Sequence, residues 1–180
     1  ILIVPQYSEV SSRHKIKLTS HVGNRLTLDT PIVAAPMDTV CEADMAIALH
    51  KKGAFGILHR YNEPEEQLKM YLEVQKAGAQ CGIAIGTGED CLERAAALAG
   101  AGCEVICIDV AHGHHANVKK TITELRKMFK DNIHIMTGNV ATPQAFVDLS
   151  EWGADSVRVG VGGGSVCSTR IVTGHGMPNF

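Results

Sequence analysis

The chain carries almost no net charge and no long hydrophobic run, and both absences narrow what it can be. Lys and Arg number 17 against 19 Asp and Glu, for a net charge of −2. The signs are mixed along the sequence, so there is no basic footprint for nucleic acid. No apolar stretch approaches the roughly 18 residues that a membrane span needs. The opening Ile1-Leu-Ile-Val-Pro5 has neither an initiator Met nor a charged n-region and is not expected to be a signal peptide. The cysteines (41, 81, 91, 103, 107 and 167) include no Cys-x-x-Cys pair. Several sit in apolar runs such as Glu104-Val-Ile-Cys-Ile-Asp109, as in a reduced, cytoplasmic protein rather than a disulfide framework or zinc site. No linker, low-complexity stretch or break in composition marks a second domain.

What is present is a core-forming chain, 45% apolar over 180 residues. Short apolar runs alternate with helical stretches. Strands are expected at 31–35, 53–58, 81–85, 105–109, 133–136 and 156–159. Helices are expected at 43–52, 63–77, 91–101, 116–129 and 143–152. Strand starts recur about every 25 residues, the spacing of βα repeats on a parallel sheet. The strands are apolar nearly throughout, as when both faces are covered.

An open doubly wound sheet and a (β/α)8 TIM barrel both fit that pattern. The polar residues favour the barrel. Asp38, His59, Gly86, Asp109, Asn139 and Gly160 all fall at or just after strand ends, which in a barrel share one rim. An open sheet would spread them along its length. A full barrel needs eight units, and six are visible. Residues 1–180 are therefore expected to be one catalytic barrel domain that is incomplete at its C-terminal side.

The densest chemistry is Gly160-Val-Gly-Gly-Gly-Ser-Val-Cys-Ser-Thr-Arg170. Glycines let a ligand approach the backbone closely, and consecutive amide N–H groups make an anion-binding concavity. Cys167 lies just past it, beside Ser168, Thr169 and Arg170. A phosphate cradle next to a thiol suggests covalent attack on a phosphorylated substrate. A buried free cysteine is the bland alternative, but this loop is too polar for it. The other five cysteines are assigned to packing, with Cys103 and Cys107 at a helix–strand junction. Arg158 lies inside a strand, where an unpaired charge is costly, so a carboxylate partner near the rim is expected. Asp109 could cap a helix, Asn139 could be a turn residue, and Thr169 could bond its own backbone. The histidines 112, 114 and 115 lack nearby ligands at metal spacing.

Six segments, in order, resemble the inosine-5′-monophosphate dehydrogenase and guanosine-5′-monophosphate reductase family. They are Val4-Pro-Gln-Tyr-Ser-Glu-Val10, Ala35-Pro-Met-Asp-Thr-Val40, Ile57-Leu-His59, Ile108-Asp-Val-Ala-His-Gly-His114, Gly138-Asn-Val-Ala-Thr142, and residues 159–178 around Cys167. The resemblance implies a (β/α)8 barrel, a homotetramer, and a cysteine that attacks C2 of a purine nucleotide. In one direction IMP is oxidised to XMP with NAD; in the other GMP is converted to IMP with NADPH. It implies that Cys167 and Thr169 are catalytic. Met37, Asn139, Arg158, Gly162, Gly164 and Ser165 would hold the nucleotide. Asp109, Val110 and Ala111 would line the cofactor subsite. K+ would rest on the backbone carbonyls of Gly162, Gly164 and Cys167.

The direction is divided. Ala35-Pro-Met-Asp-Thr-Val40 and Arg170-Ile-Val-Thr-Gly174 look like bacterial dehydrogenases, the expected activity. Asp109-Val-Ala111 is similar to the reductases, the alternative, and Ala35 stands where many dehydrogenases have Ser. Val74-Gln-Lys-Ala-Gly-Ala79 runs straight into the third strand, so the CBS insert of most dehydrogenases is not expected. A non-catalytic, nucleotide-binding barrel remnant is the reading of another class.

Overall fold

A computed structural model describes residues 4–23 and 25–178. Two short strands, β1 (Ser20–Val22) and β2 (Leu26–Leu28), form an antiparallel hairpin. Then β3 (Val33–Ala34), β4 (Phe55–Leu58), β5 (Gly82–Ile85), β6 (Val105–Asp109), β7 (His134–Val140) and β8 (Ser156–Val159) follow. Between them run α1 (Ala43–His50), α2 (Pro64–Lys76), α3 (Cys91–Gly100), α4 (Ala116–Phe129) and α5 (Pro143–Glu151), and α6 (Ser168–Thr173) comes last.

Strands β3 to β8 form one six-stranded sheet in sequence order, and every pair is parallel. Each new strand adds to the same edge, with no reversal of winding. A doubly wound sheet requires such a reversal; a barrel does not. The sheet is the curled first six βα units of a (β/α)8 barrel.

Capping and charge place the helices. Pro64 opens α2, Glu65 and Glu66 sit in its first turn, and Lys76 in its last, all favourable to the helix dipole. Thr142 accepts the Ala145 N–H at 3.2 Å and starts α5 ahead of Pro143. The His115 ring does the same for α4, accepting the Asn117 N–H at 3.1 Å.

Strand alternation divides the core into two layers. Leu58, Ile83, Ile85, Ile106, Ile108 and Ile135 point outward against Val74, Leu98, Ile122 and Leu125 of the helices. Each such fully buried side chain contributes about 1.5–3 kcal/mol. Phe55, Ile57, Ala84, Val105, Cys107 and Met136 point inward. Leu26 and Leu28 of the hairpin close this inner layer from the N-terminal end of the strands. Arg25 fixes that position by donating to the Asn132 carbonyl at 3.3 Å.

Three expectations are corrected. The first strand covers only Val33–Ala34 of 31–35, because it pairs with just Phe55 and Gly56. The fifth runs on to Val140 through an irregularity in its pairing with β8. Cys107 lies in the barrel interior and not at a helix–strand junction, since it alternates with outward-facing Ile106 and Ile108. Among the described residues, no helix is long and apolar enough to cross a membrane.

Candidate active site

The C-terminal ends of the strands surround a cavity of about 820 Å³. Its lining includes Met37, Asp38, Asp109, Val110, Ala111, Asn139, Arg158, Gly160, Gly162, Gly164, Cys167 and Thr169. Five βα connections, those of β3, β4, β6, β7 and β8, therefore bring to one place nearly every residue proposed for the site, while Gly86 after β5 does not line it. Ser165 differs: it is exposed and does not line the cavity, because the chain turns there to bring the Cys167 N–H onto the Gly164 carbonyl at 3.2 Å. His59 also turns away. Its ring faces Glu42 at 3.2 Å and accepts the Tyr61 N–H, so the next residue, Arg60, reaches the rim instead.

The floor is ionic. Arg158 on β8 donates to Asp109 on β6 at 2.7 Å, reaching over β7. Gly138 makes this crossing possible, since a Cβ there would stand 2.7 Å from Arg158 Cβ. Burial opposes the Arg158 charge, but Cys107 and Asp109 more than offset it and its pKa is raised. Burial pushes Cys107 up to about 11. It is thus neutral at pH 7, and Asp109 is the effective counter-charge. The carboxylate partner expected for Arg158 is Asp109 itself.

One wall is a hydrogen-bonded seam. Asn139 donates its side-chain amide to the Gly160 carbonyl at 2.7 Å. Its backbone N–H donates to Val110 at 3.1 Å, and its carbonyl accepts from Gly113 at 2.8 Å. The loops after β6, β7 and β8 are fastened together at this one residue. Gly162 has φ +60°, and a Cβ there would meet the His175 carbonyl at 2.7 Å, so only glycine fits. Met177 donates to Val161 at 2.8 Å and holds the 174–178 segment against the loop.

Cys167 stands at the position just before α6, half-buried and outside the core. Its thiol is held below the ordinary value first by the Arg170 backbone N–H. Desolvation, the next largest influence, opposes this, and the backbone N–H and hydroxyl of Thr169 and the Arg170 charge add to the lowering. Burial raises the other five: Cys41 and Cys107 to about 11, Cys103 to about 12, and Cys81 and Cys91 upward as well. Cys167 is the one thiol of the six shifted toward its nucleophilic form.

The histidines of the 112–115 loop make side-chain contacts of their own. His114 pairs with Asp148 at 2.8 Å, and the rings of His112 and His175 stack 5.5 Å apart. No group of three or more His, Cys, Asp or Glu suited to a metal occurs among the described residues. Arg60, which follows the strand-end His59, and Tyr61, which the sequence did not single out, both line the cavity. Their signal is a charged and an aromatic residue directly after a strand end.

Fold and site define a class: a (β/α) barrel with a cysteine of lowered pKa on the loop that follows its sixth parallel strand. The IMP dehydrogenase / GMP reductase domain matches over residues 1–180, and the chain belongs to that family. An inosine-5′-monophosphate dehydrogenase of Cryptosporidium parvum is 34% identical over 223 aligned residues, covering 100% of this chain and 54% of that protein. GMP reductases of Bacillus subtilis (34%) and Mycoplasma mycoides (33%) align over 178 residues, covering 98% of this chain. The chain spans about half the length of the curated relatives it matches.

Proposed function

We propose that this chain is part of a purine nucleotide oxidoreductase that oxidises IMP to XMP with NAD. The observation that carries the reading is Cys167, the single down-shifted thiol, on the wall of the cavity that gathers the other site residues. As thiolate, its Sγ adds to C2 of the purine and makes that carbon tetrahedral. Bound NAD would accept the hydride leaving C2. Water then displaces Sγ and returns the thiol. The amides of 160–164 hold the phosphate. Met37, Asn139 and Arg158 place the base and ribose, Thr169 holds a proton beside Sγ, and Asp109, Val110 and Ala111 face the cofactor.

The dehydrogenase direction is supported by Ala35-Pro-Met-Asp-Thr-Val40 and Arg170-Ile-Val-Thr-Gly174. GMP reduction is the second reading, supported by Asp109-Val-Ala111, which has no hydroxyl beside the acid. Residues 77–81 join α2 directly to β5, with no regulatory insert there. Residues 1–180 are taken as part of one catalytic barrel domain, cytoplasmic and homotetrameric.

A monovalent cation on the carbonyls of Gly162, Gly164 and Cys167 fits only in part. The Gly164 carbonyl already accepts the Cys167 N–H, and three carbonyls do not complete an oxygen coordination shell. The test is turnover by the full-length protein of IMP with NAD and, separately, of GMP with NADPH. Activity with IMP alone supports the proposal, activity with GMP alone reverses the direction, and activity with neither refutes the reading.

A further inference from the structure

Arg60 and Tyr61 stand at the end of β4, on the cavity wall, and have no part in the chemistry assigned to the thiol loop. Arg60 donates through Nε to the Asp109 carbonyl at 3.2 Å, so its orientation is fixed from outside its own strand. Gly86, just beyond β5, leaves it room: a Cβ there would lie 3.2 Å from Nη1. Yet the guanidinium has no carboxylate partner among the described residues, because the nearby Asp109 carboxylate is taken by Arg158. The Tyr61 ring lies 5.1 Å from the guanidinium carbon and is 58% exposed. The guanidinium lies over the Tyr61 ring and His59 stacks 6.2 Å from it, so an oriented cation without a carboxylate partner stands on a half-exposed aromatic ring, an arrangement suited to a ligand phosphate. The glycine loop belongs to β8, four strands away, so one phosphate held there leaves Arg60 free for another.

We propose that Arg60, with Tyr61 beside it, binds a phosphate group of the dinucleotide cofactor and is a specificity-determining residue of the cavity. The inference rests on the family reading above. Arg60 also adjoins Asp109, the head of the cofactor-facing segment, which places the second anion point on the cofactor side. Two phosphates share this chemistry: the pyrophosphate of any nicotinamide dinucleotide and the 2′-phosphate of the NADP form.

The test measures binding of NADH and NADPH to the full-length protein by fluorescence, alongside binding of IMP and GMP. Arg60→Met should weaken the dinucleotide about ten- to a hundred-fold, the effect of losing one charge-assisted contact. Binding of the mononucleotides should stay within about two-fold. Equal loss for NADH and NADPH places the pyrophosphate on Arg60, and loss for NADPH alone places the 2′-phosphate there. Gly86→Ala, which crowds Nη1 while keeping the charge, should give a smaller loss in the same ligand. It guards against a folding defect in the first variant, and Arg60→Lys should restore part of the affinity. Unchanged dinucleotide binding, or weakening of the mononucleotides instead, overturns the proposal. If the wild-type protein turns over neither substrate pair, the family reading fails, whatever Arg60 does.

Discussion

Arg158 Nη1 lies 2.7 Å from Asp109 Oδ1, an ion pair between β8 and β6 that passes over β7 at Gly138. Both side chains are largely withdrawn from water, at 23% and 17% exposure. The pair is therefore the floor of the cavity and also a tie between non-adjacent strands.

Removing one partner is expected to cost more than removing both. Arg158→Met leaves Asp109 as an unpaired charge and should destabilise by about 2–4 kcal/mol, below the full range for deeply buried pairs because some solvent reaches it. The double variant Arg158→Met/Asp109→Leu should recover a good part of that loss. Urea midpoints of the single and double variants measure it, and simple additivity would contradict the coupling.

Gly162 and Gly78 share a left-handed backbone but not surroundings. At Gly162, φ is +60° and an added Cβ meets the His175 carbonyl at 2.7 Å; at Gly78, φ is +69° and nothing lies within 4 Å. Each alanine substitution carries the left-handed penalty of about 1–2 kcal/mol. Only Gly162→Ala must also move the 174–178 segment and the thiol loop. It should lower nucleotide affinity about ten-fold or more, a loss of at least about 1.4 kcal/mol, while Gly78→Ala leaves affinity alone. Calorimetric titration with IMP separates them.

The repeating units were legible because their signals are local. Pro64 with Glu65 and Glu66, and Thr142 before Pro143, mark helix starts within a few residues of sequence. The hairpin was not legible: β1 and β2 are three residues each, too short to show a period. The facing of Cys107 was hidden because a strand covered on both sides is apolar at every position. That Asp109, Asn139 and Gly160 face one cavity was legible from their places at strand ends. The pairing of Asp109 with Arg158 and the reach of Arg60 to Asp109 were not. They depend on how far the sheet curls, which no short segment encodes.

His134 gives the fold a pH dependence. It begins β7, fully buried, with Nε2 on Ser156 Oγ at 2.8 Å and Nδ1 without a partner among the described residues. Burial, the largest influence, lowers its pKa from 6.5; Arg126 and Arg25 add to this and Asp155 opposes it. The native ring is thus neutral where the unfolded ring is already charged. The unfolded state binds more protons below pH 6.5, so stability is complete above that value and falls as the solution is acidified. The urea midpoint should drop between about pH 7 and pH 5, and His134→Gln should flatten that drop. Identical slopes in the two proteins would remove His134 as the cause.

Cys167 makes the sharpest claim. Its thiol is shifted down by the Arg170 and Thr169 groups, while the other five cysteines are buried and shifted up. Iodoacetamide on the native protein should therefore modify Cys167 first, with a rate that rises with pH through a midpoint below the ordinary thiol value. Thr169→Val removes one donor to Sγ and should move that midpoint up. Cys167→Ala should abolish turnover, because no other group can form the C2 adduct, yet nucleotide binding should remain because the loop amides are untouched. A 6-chloropurine nucleotide should label wild-type protein at Cys167, as read by peptide mass spectrometry. Label on another cysteine, or undiminished turnover in the alanine variant, would end the covalent mechanism.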